Sequence, residues 1–197
     1  MKKPFVIGLT GGIGSGKTLA SDIMKECGAY ILDTDVLSRE ITAPGTPGAR
    51  AIAEAFPQTA RPGGFSRRAL KSVVFSEPDA LEKLDAITHP LINAETEKRL
   101  SEQTGIVVLV VPLLFETGME KLCDLTVTVS CPKRIRIKRV VMRDNISAGL
   151  ARQIMSCQLT DAEREKRADA VLTNDGSIKE FRDEVKALYY QIAERAD

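Results

Sequence analysis

The sequence predicts an α/β fold in which helices cover both faces of a doubly wound, five-stranded parallel sheet. Five short apolar segments, separated by helical patterns, indicate this class. The third segment is nearly continuous in apolar residues, which is typical of a strand buried on both faces of a parallel sheet. Ligands of such sheets bind beyond the carboxyl ends of the strands, so we expect the functional residues there. The predicted strands are 4–10, 29–33, 106–112, 124–130 and 170–173.

A glycine-rich segment follows the first strand directly. It reads Gly-Gly-Ile-Gly-Ser-Gly-Lys-Thr and matches G-x-x-x-x-G-K-[ST], the pattern of a P-loop. A helical pattern comes next, so the motif lies between a strand and a helix, as a P-loop requires. Backbone N–H groups of such a loop surround a phosphate chain at the positive end of the helix. The segment therefore predicts a nucleoside-triphosphate site formed by Gly11, Gly12, Ile13, Gly14, Ser15, Gly16, Lys17 and Thr18, and the fold is of the P-loop NTPase type.

Two side chains of the loop have specific expected roles. Lys17 can reach the β- and γ-phosphates, and the Thr18 hydroxyl can ligate Mg²⁺. The third strand ends in Pro112-Leu-Leu rather than in the aspartate that often completes the metal site of ATPases. We therefore expect Mg²⁺ to bind through Thr18, phosphate oxygens and water, with Asp33 or Glu116 as the candidate acidic residues.

The second strand ends in two carboxylates, Asp33 and Asp35. A carboxylate at this edge of the sheet could orient an attacking hydroxyl and take its proton late in a phosphoryl transfer. Either aspartate could instead cap the following helix, which aspartate does often. The pattern leaves both interpretations open.

Two stretches are longer than simple crossovers require. We interpret residues 39–104 as a helical insertion that binds an acceptor substrate, although a purely structural elaboration stays open. We interpret residues 133–166 as a lid. The remaining core comprises 1–38, 105–132 and 167–197. Inside the insertion the pattern predicts helices over 66–75, 77–87 and 90–104, with Pro90 in the first turn of the last one and Gly105 just past its end.

The predicted lid begins with a strongly basic run. Residues 132–143 contain six basic side chains and no acidic one. On a helix, Arg136, Arg139 and Arg143 would share one face. Such a face is often only solvated, but next to a P-loop it favours a mobile lid that neutralises phosphate charge and excludes water.

Composition bounds the class of protein. The chain has 28 basic and 27 acidic residues, a net charge of +1, which gives no electrostatic basis for binding nucleic acid or an acidic membrane. Four scattered cysteines without a C-x-x-C pair, and a single histidine, weigh against disulfides and zinc. The sequence shows no apolar run of membrane-spanning length and no cleavable signal, so we expect one soluble, cytoplasmic domain.

Several blocks spread along nearly the whole chain resemble the dephospho-coenzyme A kinase family. The most specific are residues 111–116, Val-Pro-Leu-Leu-Phe-Glu, together with Ala168-Asp169 and Asn174. Their order and spacing agree with the family pattern. The other blocks are residues 7–18, Asp33-Thr-Asp35 with Arg39, His89-Pro90, Arg139 with Arg143-Asp144, and Gln158.

The resemblance implies transfer of the γ-phosphate of ATP, with Mg²⁺, to the ribose 3′-hydroxyl of dephospho-CoA. It implies that Asp33 engages that hydroxyl and that Arg143 lies near the phosphates, so that Asp33, Lys17 and Arg143 are the expected catalytic residues. Arg139 and Asn174 would lie near the adenine. Arg136 departs from the family, whose members commonly carry Gln there. The residues implied to bind dephospho-CoA are Thr10, Asp33, Asp35, Arg39, His89, Leu114 and Glu116.

Two other classes stay open at this point. One is another small-molecule or nucleoside monophosphate kinase of the same architecture, and the other is a regulatory nucleotide-binding module without transfer activity. A guanine-nucleotide switch is disfavoured because the sequence lacks N-K-x-D and has no D-x-x-G after the third strand. For His89, a structural role at a helix entry beside Pro90 is an equal alternative to substrate contact. The oligomeric state is undetermined from sequence, and a monomer is compatible with it.

Overall fold

The structure is a computed structural model, and it describes residues 3–196 of the 197-residue chain. Contacts between Cα atoms divide these residues into two compact units. The first unit contains the described residues up to Leu32 and those from Leu100 onward, and the second contains Asp33–Arg99.

The helices and strands alternate through most of the chain. In order they are β1 (Phe5–Thr10), α1 (Lys17–Glu26), β2 (Tyr30–Asp33), α2 (Thr34–Ile41), α3 (Pro47–Ala55), β3 (Ala60–Arg61), β4 (Gly64–Phe65), α4 (Arg67–Ser76), α5 (Ala80–Ser101), β5 (Ile106–Val110), β6 (Leu125–Ser130), α6 (Lys133–Asp144), α7 (Ala148–Ser156), α8 (Asp161–Arg167), β7 (Ala170–Thr173) and α9 (Ile178–Ala196). Short 3₁₀ turns lie at Pro57–Thr59 and Met119–Leu122.

The main sheet has five parallel strands in the order β2-β5-β1-β6-β7. The five apolar segments of the sequence form these five strands, so the predicted fold class is confirmed. Strand β1 is central, and its Leu9 lies beside Val110 of β5 and Val127 of β6. This register brings the carboxyl ends of three neighbouring strands to the edge where β1 runs into the glycine-rich loop.

The core of the first unit lies on the sheet and beneath its helices. Ile7 and Leu9 of β1 are fully buried, together with Ile23 of α1 and Val185 of α9. Apolar residues from sheet and helices thus form one cluster, and removing this apolar surface from water is the main force that stabilises the fold. The start of α9 is fixed locally, since the backbone N–H of residue 177 donates to Glu180 and that of residue 180 donates to the Ser177 hydroxyl.

The second unit is helical and has its own core. Ile52 of α3, Phe56, Leu70 of α4 and Ala80 of α5 form a buried cluster. Thr46 and Ser66 cap α3 and α4 by accepting backbone N–H groups with their hydroxyls. Strands β3 and β4 pair as a very short antiparallel hairpin.

The predicted break at Pro90 was wrong. Helix α5 is continuous over Ala80–Ser101, with Pro90 inside it rather than in a first turn. Proline removes one backbone hydrogen bond and disfavours an interior helical position by about 3 kcal/mol. Leu84 and Ile87, on the turns before Pro90, pack against the core of the second unit and hold these turns in the helix despite this cost.

Over the described residues 3–196, no helix combines the length and apolarity needed to cross a membrane.

Candidate active site

The glycine-rich loop lies between the central strand and the first helix. Thr10 ends β1, is fully buried, and donates its hydroxyl hydrogen to the carbonyl of Pro112 at 3.3 Å. Gly16 is the N-cap of α1 with φ +107° and has no side chain that could occupy the helix end. The first N–H groups of α1 are therefore oriented for an anion, as expected of a P-loop.

Close neighbours leave no room for a side chain at several loop glycines, and the tightest contacts are at Gly12 and Gly16. A Cβ atom at Gly12 would overlap the Arg136 guanidinium, and one at Gly16 would overlap the Asn174 amide. Side chains from α6 and from the end of β7 thus pack directly on the loop backbone. The loop is held by its surroundings as well as by its own conformation.

Lys17 lies over the loop that precedes it. Its ammonium donates to the carbonyl of Gly11 at 2.7 Å, which fixes the side chain above the loop. Thr18, the next residue, is exposed at the start of α1.

A cavity of about 690 Å³ opens above the loop. It is large enough for a nucleotide, since binding pockets for small molecules usually span about 300–1,000 Å³. Three cationic side chains, Lys17, Arg139 and Arg143, line it and give it a positive character. Its other lining residues are Gly14, Gly16, Thr18, Leu19, Val140 and Met142.

The three arginines on one face of α6 have different surroundings. Arg139 donates to the carbonyls of Gly14 and Ser15 at 3.5 and 3.4 Å. Arg143 is exposed and pairs with Asp144 at 2.7 Å, which raises the pKa of Arg143 and lowers that of Asp144. Arg136 is buried, with 5% of its surface exposed.

Asn174 joins the end of β7 to the loop. It is buried and donates its amide to the carbonyl of Ser15 at 2.7 Å. Its own Oδ1 accepts from Arg139 at 3.3 Å. The structure therefore brings Arg139 and Asn174 together against the loop carbonyls, and their expected proximity to adenine stays a prediction.

A second charged group lies beside the loop, and sequence reasoning missed most of it. Arg164 of α8 is 1% exposed and donates to Asp161 at 3.2 Å, while Arg136 donates to the same carboxylate oxygen at 2.9 Å. The spacing of Asp161 and Arg164, three residues apart on a helix, is the one local signal for this group.

The segment between α7 and α8 also contacts the loop. Gln158 accepts the backbone N–H of Ile13 with its side-chain oxygen at 3.0 Å. The backbone N–H of Leu159 donates to Glu116 at 3.0 Å. Glu116 follows β5, so this segment contacts both the loop after β1 and the segment after β5.

Asp33 is the last residue of β2 and the N-cap of α2. Its Oδ1 accepts the backbone N–H groups of Asp35 at 2.8 Å and of Val36 at 3.4 Å. The capping interpretation is therefore correct for Asp33, and it does not exclude a chemical role for the same carboxylate. Asp35 is exposed in the first turn of α2, and Arg39 lies in the last turn.

His89 and Leu114 differ from their simplest expectations. His89 lies inside α5 and pairs with Asp85 at 3.5 Å, so it is not at a helix entry. Leu114 is fully buried, so it can influence substrate binding only by shaping the segment after β5. Their contacts with a substrate stay predictions.

Within residues 3–196, no cluster of three or more His, Cys, Asp or Glu side chains could hold a metal ion.

Comparison with known proteins identifies the family of the chain. A family model described as dephospho-CoA kinase matches residues 5–180. The dephospho-CoA kinase of Moorella thermoacetica is 40% identical over 195 residues, which cover 95% of this chain and 92% of that protein. The crystal structure of TT1252 from Thermus thermophilus has a TM-score of 0.86 and 33% identity, covering 97% of this chain and 99% of the other. The dephospho-CoA kinase from Campylobacter jejuni, at 24% identity, shares the fold with a TM-score of 0.75 over 97% of this chain and 98% of its own.

Proposed function

The chain belongs to the dephospho-CoA kinase family, and we propose that it transfers the γ-phosphoryl group of ATP to the ribose 3′-hydroxyl of dephospho-CoA, giving CoA and ADP. The observation that carries this proposal beyond family membership is the P-loop, with Lys17 and Arg139 beside it, at the base of a cavity of about 690 Å³. These groups supply the positive charge and the backbone N–H donors that a triphosphate requires.

The loop residues would position the donor. Backbone N–H groups of residues 13–18 would surround the β-phosphate. The Lys17 ammonium would turn from the Gly11 carbonyl to the β- and γ-phosphate oxygens. Arg143 lines the same cavity and is exposed, so its guanidinium is accessible to the phosphates. Such cations act by stabilising the charge of the transferring group, with little covalent chemistry left for the protein.

Mg²⁺ fits the residues present. Thr18 is exposed and lines the cavity, and its hydroxyl is an oxygen ligand of the kind that Mg²⁺ takes alongside water and phosphate. When bound, Mg²⁺ would supply positive charge that offsets the charge of the triphosphate. Asp33 and Glu116 stay the candidate acidic residues for this ion, and their participation is a prediction.

Asp33 would act on the acceptor. Its carboxylate would accept a hydrogen bond from the 3′-hydroxyl, orient it for in-line attack, and take its proton late in the reaction. Asp35, Arg39, His89 and Glu116 would bind dephospho-CoA, whereas the fully buried Thr10 and Leu114 would shape the segment that carries Glu116. Like the cytoplasmic location, these roles are predictions.

An acceptor panel tests the proposal. ADP release from ATP and Mg²⁺ is measured with dephospho-CoA, AMP, CMP, UMP, pantothenate or no acceptor, and products are identified by mass. We expect release only with dephospho-CoA, and CoA as the product. Preference for a nucleoside monophosphate would instead indicate another kinase of this architecture. Release without any acceptor would indicate an ATPase, and the proposal would be wrong.

A further inference from the structure

Charged side chains form a continuous group between the phosphate loop and the segment after β5. We call Arg136, Asp161, Arg164 and Glu116 the charged relay. Asp161 accepts from both arginines through one oxygen, at 2.9 Å from Arg136 and 3.2 Å from Arg164. Glu116 comes next, with its Oε1 at 3.9 Å from Arg164 Nη2.

One end of the relay packs on the P-loop. A Cβ atom at Gly12 would overlap the Arg136 guanidinium and would lie 3.3 Å from Nη1 of Arg164. Both guanidinium groups therefore contact the second residue of the loop. This contact transmits any displacement of the loop backbone to the relay, because buried groups in a packed interior have little room to move independently.

The other end of the relay lies beyond a neighbouring strand. Glu116 follows β5, which pairs with β1, the strand that leads into the loop. Its carboxylate also accepts the backbone N–H of Leu159. Residues 158–164 thus contact the loop through Gln158 and the β5 segment through Glu116.

Arg164 has hydrogen-bonding capacity that the relay does not use. Within the described residues its Nε and Nη2 are buried without a hydrogen-bond partner. Burial lowers the pKa of Arg164, with Glu116 and Asp161 opposing this effect, but a guanidinium remains charged at neutral pH. Unsatisfied buried donors are uncommon and call for a physical reason.

Glu116 provides that reason. At 3.9 Å the pair is an ion pair but not yet a hydrogen bond, since N–H···O bonds span about 2.7–3.2 Å. An approach of roughly 1 Å would give Nη2 its acceptor. In the structure the Glu116 carboxylate lies apart from Arg164, and this approach would bring the two groups into a hydrogen bond.

We propose that Arg164 is a positioning residue of the phosphoryl transfer, which links Glu116 to the phosphate loop and forms a hydrogen bond with Glu116 when donor and acceptor are bound. The proposal rests on the proposed function, because Glu116 is assigned to the acceptor there. Arg164 does not touch substrate. It fixes the position of Glu116, which contacts the acceptor, relative to the loop that holds ATP.

Substitution of Arg164 tests this role with steady-state kinetics and ATP titration. We expect Arg164→Met to lower kcat/KM for dephospho-CoA by about 30-fold or more, while the Kd for ATP changes by less than about 3-fold. Arg164→Lys should recover part of the loss, since it keeps the charge but not the two-pronged geometry. The matched control is Arg195→Met, an exposed arginine on α9, which should behave as wild type.

A double-mutant cycle distinguishes positioning from mere stabilisation. If Arg164 acts through Glu116, the Arg164→Met and Glu116→Gln pair should lose little more than the worse single variant. The proposal would be overturned if the loss of kcat/KM in the double variant equalled the product of the two single losses. It would also be overturned if Arg164→Met weakened ATP binding as much as turnover. Should Arg164→Met fail to fold by thermal melting, the Arg164→Lys and Glu116→Gln cycle takes its place with the same criteria. If the wild-type enzyme had no activity on dephospho-CoA, the proposed function and this inference would both be wrong. If the enzyme is active but the two single losses multiply in the double variant, only the inference is wrong.

Discussion

Asp33 combines two tasks in one carboxylate. Its Oδ1 caps α2 by accepting two backbone N–H groups, and the family resemblance assigns the same side chain to the acceptor hydroxyl. Asparagine caps helices as well as aspartate does but carries no charge. The two tasks can therefore be separated by one substitution.

We expect Asp33→Asn to keep its thermal stability and ATP affinity but to lose turnover by about 100-fold or more, in the range typical of general-base residues. Turnover with saturating dephospho-CoA, ATP titration and thermal melting check this. Asp33→Ala serves as a comparison, because it should lose about 1 kcal/mol of stability as well through the missing cap. Unchanged turnover in Asp33→Asn would remove Asp33 from the mechanism.

The contact between Gly12 and Arg136 gives a second test. Gly12→Ala should weaken ATP binding by about 10-fold or more, since the new methyl group overlaps a buried guanidinium that cannot move freely. Adding Arg136→Gln, a shorter side chain, should recover part of that affinity. Isothermal titration with ATP measures both variants. Equal losses in the single and double variants would show that loop geometry, and not the arginine, makes alanine intolerable at this position.

Lys17 is the third residue with a separable role. Lys17→Ala should lower kcat as well as ATP affinity, because a cation beside the transferring phosphoryl group stabilises the transition state more than the ground state. Initial rates over a wide range of ATP concentrations check this. If saturating ATP restored the full wild-type rate, Lys17 would have a role in binding only.

At the scale of elements, a feature can be predicted from sequence when the contacts that form it are local along the chain. The P-loop is a continuous segment whose glycines and flanking patterns are visible in sequence. The relay is not, since Glu116, Arg136 and Arg164 come from three separate elements that only the fold brings together. Helix α6 shows the intermediate case. Its three arginines share a face as predicted, but only packing against Gly12 determines that Arg136 is the buried one.

Helix α5 shows where local signals are overridden. Pro90 predicts a helix boundary, but the turns before it pack on the core of the second unit. Tertiary burial outweighs the local preference there. Leu114 and Thr10 illustrate the same limit at the site, because their full burial depends on neighbours that the sequence does not reveal.

The corner between α8 and β7 is fixed by Asp169. This carboxylate accepts the hydroxyl and the backbone N–H of Thr126 in β6, both at 2.7 Å, and these hydrogen bonds lower the pKa of Asp169. A carboxyl whose pKa is lower in the folded state stabilises the protein above its unfolded pKa, near 3.9. That contribution is lost as the pH falls through the lower folded value.

We therefore expect Asp169→Asn to be less stable than wild type at pH 7 and to lose less stability on acidification. The free energy of unfolding, measured by urea titration between about pH 5 and pH 3, should fall more steeply in wild type than in the variant. Asp183→Asn, an exposed position on α9, is the control and should follow the wild-type slope. Identical slopes in all three proteins would show that Asp169 does not contribute to the acid sensitivity.

For the whole molecule, the order of apolar segments was sufficient to predict the five-stranded sheet. Each of those strands has four to six residues, enough for an apolar segment to be visible in the sequence. The hairpin β3–β4 has two residues in each strand, too few for any periodicity to register. The assignment of chemistry required the P-loop, the family blocks and the comparisons together, because P-loop kinases of one architecture act on different acceptors.

The position of the new phosphate tests the central claim most directly. Dephospho-CoA, ATP and Mg²⁺ are incubated with the enzyme, and the product is examined by ³¹P NMR and mass spectrometry. We predict one new phosphomonoester on the ribose 3′-hydroxyl and one ADP for each CoA formed. A new phosphoanhydride signal, or free phosphate with unchanged dephospho-CoA, would contradict the account.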